Sequence, residues 1–197
     1  MPSIILASGS RYRRELLARL GLPFRFELPG VEELPLPGEA PAALARRLAL
    51  EKAQAVANRF PAGLVIGSDQ VADCDGVILG KPGTADRARE QLQAASGRTV
   101  TFWSALALIN AATGKTQAAV IRCDVEFRIL SEEEIARYVA IEAPLDCAGS
   151  FKAEGLGIVL FRRLLTDDPT SLIGLPLIAL CAMLRAEGVM LPPAPAS

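Results

Sequence analysis

The chain has 197 residues, a formal net charge of −1 and no histidine. The near-neutral balance argues against a general nucleic-acid or membrane-surface binder, both of which depend on an excess of Lys and Arg. The missing imidazole excludes Ser-His-Asp and Cys-His catalysis and His-ligated zinc, so any chemistry must use carboxylates, Lys, Arg, hydroxyls, thiols or an oxygen-held metal.

With 51% hydrophobic and 22% charged residues, the composition is that of a soluble globular protein with an aliphatic core. The four cysteines (Cys74, Cys123, Cys147, Cys181) lie far apart and include no Cys-x-x-Cys pair. They read as small core residues in a reducing compartment. No secretory leader is visible, and the longest apolar span, 172–184, is too short for a bilayer and contains Gly174 and Pro176. A cytoplasmic location is expected, with no membrane and no nucleic acid as partner.

Residues 3–7 read as a buried strand, followed by Ser8-Gly9-Ser10 and a helix over 11–20 that Gly21 stops. Strand, hydroxyl loop and helix start together suit an anion, because free N–H groups leave the helix N-terminus. Arg13 and Arg14 sit in the first turn, where the macrodipole disfavours cations unless an anion is bound. The alternative is an ordinary Ser10 N-cap with exposed arginines. The loop matches neither Walker A nor G-x-G-x-x-G.

Phe24, Phe26 and Leu28 alternate as in a strand, and a loop follows with the adjacent acids Glu32 and Glu33. Such a pair can hold a hard divalent cation or simply be solvated. A helix is predicted over 41–58; from its place beside Glu51, Lys52 reads as an exposed member of a surface ion pair.

Residues 64–82 hold an apolar run ending in Gly67-Ser68-Asp69-Gln70, a second run ending in Gly80-Lys81-Pro82, and Asp75-Gly76 between them. Asp-Gly favours a two-residue hairpin turn because both central residues need positive φ. The simplest register pairs Cys74 with Val77 and sets Gln70 opposite Lys81. Asp69 then falls on the other face, so bringing it beside Lys81 requires a broken ladder near Gly80–Pro82.

Thr84 caps a helix over 85–95, two β-rich segments over 99–110 and 116–129 suggest an antiparallel pair, and Ser131 with Glu134 forms a capping box for a helix to 142. A glycine-rich loop over 147–157 carries Lys152 and Glu154, with a strand expected over 158–161. A largely apolar helix over 176–185 suits a central position or a subunit interface, and 191–197 reads as a disordered Pro/Ala tail.

Three loops (8–14, 67–70 with 80–81, and 149–155) carry charge beside short aliphatic strands. In α/β folds such loops collect at one edge of the sheet and form a cleft. Arg13, Lys52, Lys81 and Lys152 with Glu32, Glu33 and Asp69 would suit a polyphosphate and a divalent metal. An ordinary Asp titrates near about 3.9, too low for a strong base at neutral pH, and metal-lowered acidity of water is the remedy.

In this order the motifs Leu-Ala-Ser-Gly-Ser-x-x-Arg-Arg (6–14), Val-Glu-Glu (31–33), Glu-Lys-Ala (51–53), Gly-Ser-Asp-Gln (67–70), Gly-Lys-Pro (80–82), Ala-Gly-Ser-Phe-Lys-x-Glu-Gly (148–155) and Gly-Leu-Pro (174–176) resemble the Maf family of nucleoside triphosphate pyrophosphatases. The resemblance covers all but the tail. It implies an α/β fold similar to Maf and ITPase proteins: a mixed twisted sheet flanked by helices, in two lobes around a long cleft, with 1–190 as a single domain. It also implies a homodimer that hydrolyses a nucleotide to its monophosphate and pyrophosphate with Mg²⁺ or Mn²⁺. Asp69 falls on the family's proton-acceptor position and Ser8, Arg13, Lys52 and Lys81 on substrate-cleft positions, which makes Asp69, Lys52 and Lys81 the candidate catalytic set. Ser10, Tyr12, Gln70, Lys152 and Glu154 join Ser8 and Arg13 as candidate substrate residues; Glu33 falls on an acidic position linked to metal or water, and Glu32 and Asp69 join it as candidate metal ligands. Where the family commonly has Val-Asp-Glu, this chain has Val31-Glu32-Glu33, which moves one carboxylate by a methylene.

Ser68-Asp69-Gln70 and Lys152-Ala153-Glu154-Gly155 are similar to the branch acting on 7-methyl-GTP. Glu154 could accept the N1–H and N2–H₂ edge of guanine, and Tyr12 could stack on a purine that N7 methylation makes cationic. The alternatives are other triphosphates (dTTP, UTP or unmethylated purine), or a non-catalytic nucleotide-binding regulator of cell division or septum formation.

Overall fold

The computed structural model describes residues 2–193. The tail expected over 191–197 begins inside that range, and 194–197 lie outside the described residues. In chain order the elements are β1 (Ile4–Ala7), α1 (Arg11–Ala18), β2 (Phe24–Glu27), α2 (Pro41–Ala57), β3 (Leu64–Cys74), β4 (Val77–Leu79), α3 (Ala85–Ala95), β5 (Thr99–Asn110), β6 (Thr116–Phe127), α4 (Glu132–Glu142), β7 (Phe161–Thr166) and α5 (Leu177–Ala186). Short 3-10 helices lie at Ala148–Ser150, Leu156–Leu160 and Pro169–Ile173.

The fold is α/β, with one seven-stranded mixed sheet in the order β2-β1-β3-β5-β6-β7 and β4 paired to β3. β1 runs parallel to β2 and β3, whereas β3/β4 and β6/β7 are antiparallel. The chain divides into two compact units. One holds the described residues up to Asp69, Ser104–Ile121 and those from Asp168 onward; the other holds Gln70–Trp103 and Arg122–Asp167.

In the first unit β1 is buried along its whole length, as the continuous apolar run Ile4-Ile5-Leu6-Ala7 requires of a strand between two parallel neighbours. Ile4 and Leu6 share a core with Leu16 and Leu17 of α1, Ile66 of β3, Leu106 and Leu108 of β5, and Leu180 and Leu184 of α5. Ser10 caps α1 by accepting the Arg13 N–H at 3.4 Å, as an N-cap serine should.

Residues 28–39 connect β2 to α2 without regular structure and are tied to that helix by arginines. Arg59 donates to the carbonyls of Leu28 and Pro29, both at 2.9 Å, and Arg47 donates to that of Leu34 at 3.0 Å. Arg47 also bridges Glu39 (2.7 Å) and Glu51 (3.2 Å). The Arg47 hydrogen bond, helped by the Leu36 N–H, pulls the Glu39 carboxyl down from its ordinary 4.5 to about 2. The folded-state value lies below the unfolded one, so Glu39 favours the fold above pH 4.5 and that contribution disappears as pH falls through about 2. An NMR titration of the carboxyl carbons should show the Glu39 midpoint near 2, and Arg47→Gln should return it towards 4.5.

The second unit is centred on a cluster of four phenylalanines. Phe102, Phe127, Phe151 and Phe161 meet edge to face with centroids 4.8–5.7 Å apart, the arrangement their quadrupoles favour. The hairpin follows its predicted register, with Cys74 opposite Val77 and Ala72 opposite Leu79. Asp75 (φ 50°) and Gly76 (φ 84°) both adopt the positive φ that the turn requires. The ladder stops at Leu79, so Gln70 and Lys81 are not paired across it, in line with the break expected at Gly80–Pro82. The Ser131–Glu134 capping box opens α4 with both reciprocal bonds made.

Two expectations need correction. Residues 158–160 are not a strand: Leu156–Leu160 is a 3-10 helix, and the strand is β7, Phe161–Thr166. The apolar run is misleading because Ile158 and Val159 face solvent, whereas Arg162 and Arg163 lie on an exposed edge strand that needs no hydrophobic pattern. Gly67–Gln70 is not a loop either, but the middle of the 11-residue strand β3, buried from Gly67 to Asp69.

Candidate active site

Gly67 sets the geometry of the first unit's polar centre. A Cβ at this position would lie 2.1 Å from the Ala49 carbonyl oxygen and 2.7 Å from the Ala53 nitrogen, both backbone atoms of α2. Only glycine lets strand and helix approach so closely, and the approach sets Lys52 of α2 against Asp69 of β3. Lys52 is 4% exposed and Asp69 6%, which rules out the solvent-facing ion pair that Lys52's helix position suggests.

Lys52 Nζ lies 2.6 Å from Asp69 Oδ1 and 2.5 Å from Glu33 Oε1. Burying either charge alone would cost several kcal/mol, so the mutual pairing is what makes the buried arrangement tolerable. Glu33 comes from the irregular 28–39 segment and remains half exposed. Its neighbour Glu32 is exposed and makes no ion pair with this centre.

The hydroxyl loop after β1 adds the positive side. Ser8 is buried, and its Oγ accepts the Ser10 N–H at 3.1 Å and an Arg13 Nη1–H at 3.4 Å. Arg13 Nε donates to the Gly174 carbonyl at 2.8 Å. Burial pulls the Arg13 guanidinium's pKa below its ordinary value, and the negative charges of Asp69 and Glu33 oppose that shift. Arginine, hydroxyl, lysine and two carboxylates thus share one electrostatic neighbourhood. Tyr12 lies under Arg11, whose guanidinium carbon is 4.7 Å from the ring centroid and whose Nη2 donates to the phenol at 2.8 Å.

Gln70, Lys81, Lys152 and Glu154 belong to the second unit. Gln70 is half-buried in β3, and Lys81 is exposed just beyond β4. Lys152 is engaged within its own unit: its ammonium donates to the Glu142 carbonyl and lies 3.7 Å from the Glu142 carboxylate. Its backbone N–H donates to Tyr138 Oη at 2.9 Å. Burial raises the Tyr138 pKa above its ordinary value. Glu154 is exposed.

Among the described residues, no group of three or more Asp, Glu or Cys is arranged to hold a metal. Glu33 and Asp69 do converge on one point, the Lys52 ammonium. One or two carboxylates completed by phosphate oxygens and water are the usual protein share of a Mg²⁺ site, and an ion at this pair would have to share the carboxylates with the ammonium or displace it.

Sequence reasoning quoted Ser68 and Gly174 only as motif members, without a role, and passed over Asp168. Ser68 is fully buried, with its Oγ 2.8 Å from the Ala105 carbonyl and 2.9 Å from that of Gly174. Asp168 is 2% exposed and accepts N–H bonds from Thr170, Ile178 and Ala179. The available signal was the Asp-Pro-Thr spelling before Gly-Leu-Pro, an N-cap followed by Pro at the first helical position.

Fold and centre together define an α/β protein with a buried acid–lysine pair beside an arginine-bearing hydroxyl loop. The chain belongs to the Maf-like protein family, whose profile matches residues 3–187. A relative from Pseudomonas syringae pv. tomato, named 7-methyl-GTP pyrophosphatase, is 58% identical over 98% of this chain and 100% of its own. Relatives of the same name from Pseudomonas aeruginosa (57%, covering 98% and 100%) and Aromatoleum aromaticum (57%, covering 96% and 97%) are similarly close. Among solved structures, the Staphylococcus aureus Ham1 protein matches with a TM-score of 0.53, covering 94% of this chain and 99% of its own. At 15% identity that match speaks for the fold alone.

Proposed function

We propose that this chain is a nucleoside triphosphate pyrophosphatase that hydrolyses 7-methyl-GTP to 7-methyl-GMP and pyrophosphate. The observation that carries the reading is the buried Asp69–Lys52 pair, 2.6 Å apart, in one unit with Arg13 and Ser8. A protein that only binds a nucleotide has no need of carboxylates beside the phosphates, whereas hydrolysis needs a proton acceptor for water. The full-length relatives named 7-methyl-GTP pyrophosphatase support the same substrate.

Asp69 Oδ1 is held by Lys52, which leaves Oδ2 to take the proton of the attacking water. Lys52 fixes the carboxylate and offsets phosphate charge. Arg13 and Ser8 bind phosphate oxygens, and the Ser10-capped start of α1 offers further N–H donors. Glu33 and Asp69 would hold Mg²⁺ or Mn²⁺, which when bound neutralises phosphate charge and acidifies water. Lys81 and Gln70 are assigned to the substrate, and Glu154 to the guanine edge. Lys152 would have to leave Glu142 to bind substrate. For Tyr12 to stack on a cationic 7-methylguanine, the base must use the ring face opposite Arg11 or displace that guanidinium, because like charges repel.

Among the described residues no helix is long and apolar enough to cross a membrane. Cytoplasmic placement and a homodimer complete the proposal. A panel of nucleotides (7-methyl-GTP, GTP, dTTP, UTP) incubated with the protein and Mg²⁺ tests it, read as pyrophosphate release. The highest kcat/KM is expected for 7-methyl-GTP. A preference for a pyrimidine would overturn the substrate, and binding without release would overturn the enzyme.

A further inference from the structure

The Gly174 carbonyl ties the 168–177 turn to the Arg13 side chain. It accepts Arg13 Nε–H at 2.8 Å and lies 2.9 Å from Ser68 Oγ. A guanidinium is a rigid planar fork, so fixing Nε fixes the plane in which both Nη groups point. Gly174 itself has φ 113°, a conformation that L side chains rarely adopt, and a Cβ there would meet Arg13 Nε at 3.5 Å.

Besides Ser68, one further hydroxyl ties the chain on either side of that carbonyl. Thr170 Oγ1 lies 2.7 Å from Asp168 Oδ1 and 2.9 Å from the Leu175 carbonyl, and it accepts the Leu177 N–H at 2.8 Å. It therefore joins the chain before Gly174 to the chain after it. Asp168 extends the knot by accepting the N–H of Thr170 at 3.1 Å and that of Ile178, at the start of α5, at 2.7 Å. Ser104 Oγ donates to the Ser171 carbonyl at 2.7 Å and holds the turn to β5.

We propose that Thr170 is a positioning residue for the reaction: through the Gly174 carbonyl it sets the orientation in which Arg13 meets the substrate's phosphates. The proposal rests on the nucleotide reading of the site given above. The hydrogen bonds of Thr170 go to Asp168, Leu175 and Leu177 and not to Arg13, so an effect passed on by the Gly174 carbonyl must run through the arginine and vanish when the arginine is gone.

The test compares Thr170→Val, which keeps the shape and loses the hydroxyl, with Thr170→Ser, which keeps the hydroxyl. Each is made in the full chain with Arg13 and with Arg13→Ala. Thr170→Val should raise KM for 7-methyl-GTP about 10-fold with a smaller change in kcat, and Thr170→Ser should stay within about 2-fold of the parent. In the Arg13→Ala background Thr170→Val should change KM less than about 2-fold, the non-additivity of two groups acting as one. A full 10-fold effect in that background, or a lowered melting temperature with unchanged kinetics, would overturn the proposal. If Thr170→Val does not fold, Ser68→Ala, which removes the hydroxyl 2.9 Å from the Gly174 carbonyl itself, is read in the same two backgrounds. If the unsubstituted protein hydrolyses no nucleotide, the nucleotide reading fails by itself. The positioning claim is then decided by calorimetric binding of inorganic pyrophosphate, which Thr170→Val should weaken only when Arg13 is present.

Discussion

Asp69→Asn should lower kcat for 7-methyl-GTP by roughly 10²–10⁴-fold, the range that a positioned general base contributes. The amide keeps the carboxylate's shape and an oxygen for Lys52 but cannot take a proton from water. Folding should survive, because Lys52 Nζ retains Glu33 Oε1 at 2.5 Å. Lys52→Met is the informative contrast. It leaves the Asp69 carboxylate, 6% exposed, without its cation, and breaking one side of a buried pair costs about 3–5 kcal/mol. Stopped-flow or steady-state pyrophosphate release gives the rate, and urea unfolding gives the stability. An Asp69→Asn protein with near-parental kcat would remove Asp69 from the chemistry.

Gly67→Ala should cost about 3 kcal/mol or more and take activity with it. Overpacking usually costs about 1–3 kcal/mol. Here the added methyl would meet helix backbone, 2.1 Å from the Ala49 oxygen and 2.7 Å from the Ala53 nitrogen, and backbone cannot rotate away. Relief requires α2 to move off β3, which withdraws Lys52 from Asp69. Stability and kcat should therefore fall together, unlike in Asp69→Asn, where kcat falls with stability largely kept. Parental stability in Gly67→Ala, measured by urea midpoint and melting temperature, would mean that close approach is not what builds the centre.

These substitutions also mark how far the sequence could be read. Features encoded within a few residues were legible: the Asp75-Gly76 turn with both φ positive, the Ser131–Glu134 capping box and the Thr84 cap of α3. The residue types of the polar centre, Ser8, Arg13, Glu33, Lys52 and Asp69, were legible as well, through motif order. What local pattern does not encode is the distance between elements. Lys52 and Asp69 are 17 positions apart, and their contact depends on a glycine whose importance shows only once α2 lies against β3. The same holds for Lys152, which reads as a cation in a glycine-rich loop until Glu142 of α4 comes within reach. Strand β7 escaped notice because an exposed edge strand carries Arg162 and Arg163 where a half-buried one would alternate. Asp168 escaped because its partners at Ile178 and Ala179 lie beyond a turn that its own hydrogen bonds create.

The most direct test of the central claim is the identity of the phosphorus products. A ³¹P NMR time course of the protein with 7-methyl-GTP and Mg²⁺ should show pyrophosphate and 7-methyl-GMP rising together in equal amounts, with Asp69→Asn showing neither. Release of orthophosphate with a nucleoside diphosphate, or an unchanged triphosphate spectrum alongside measurable binding, would contradict it.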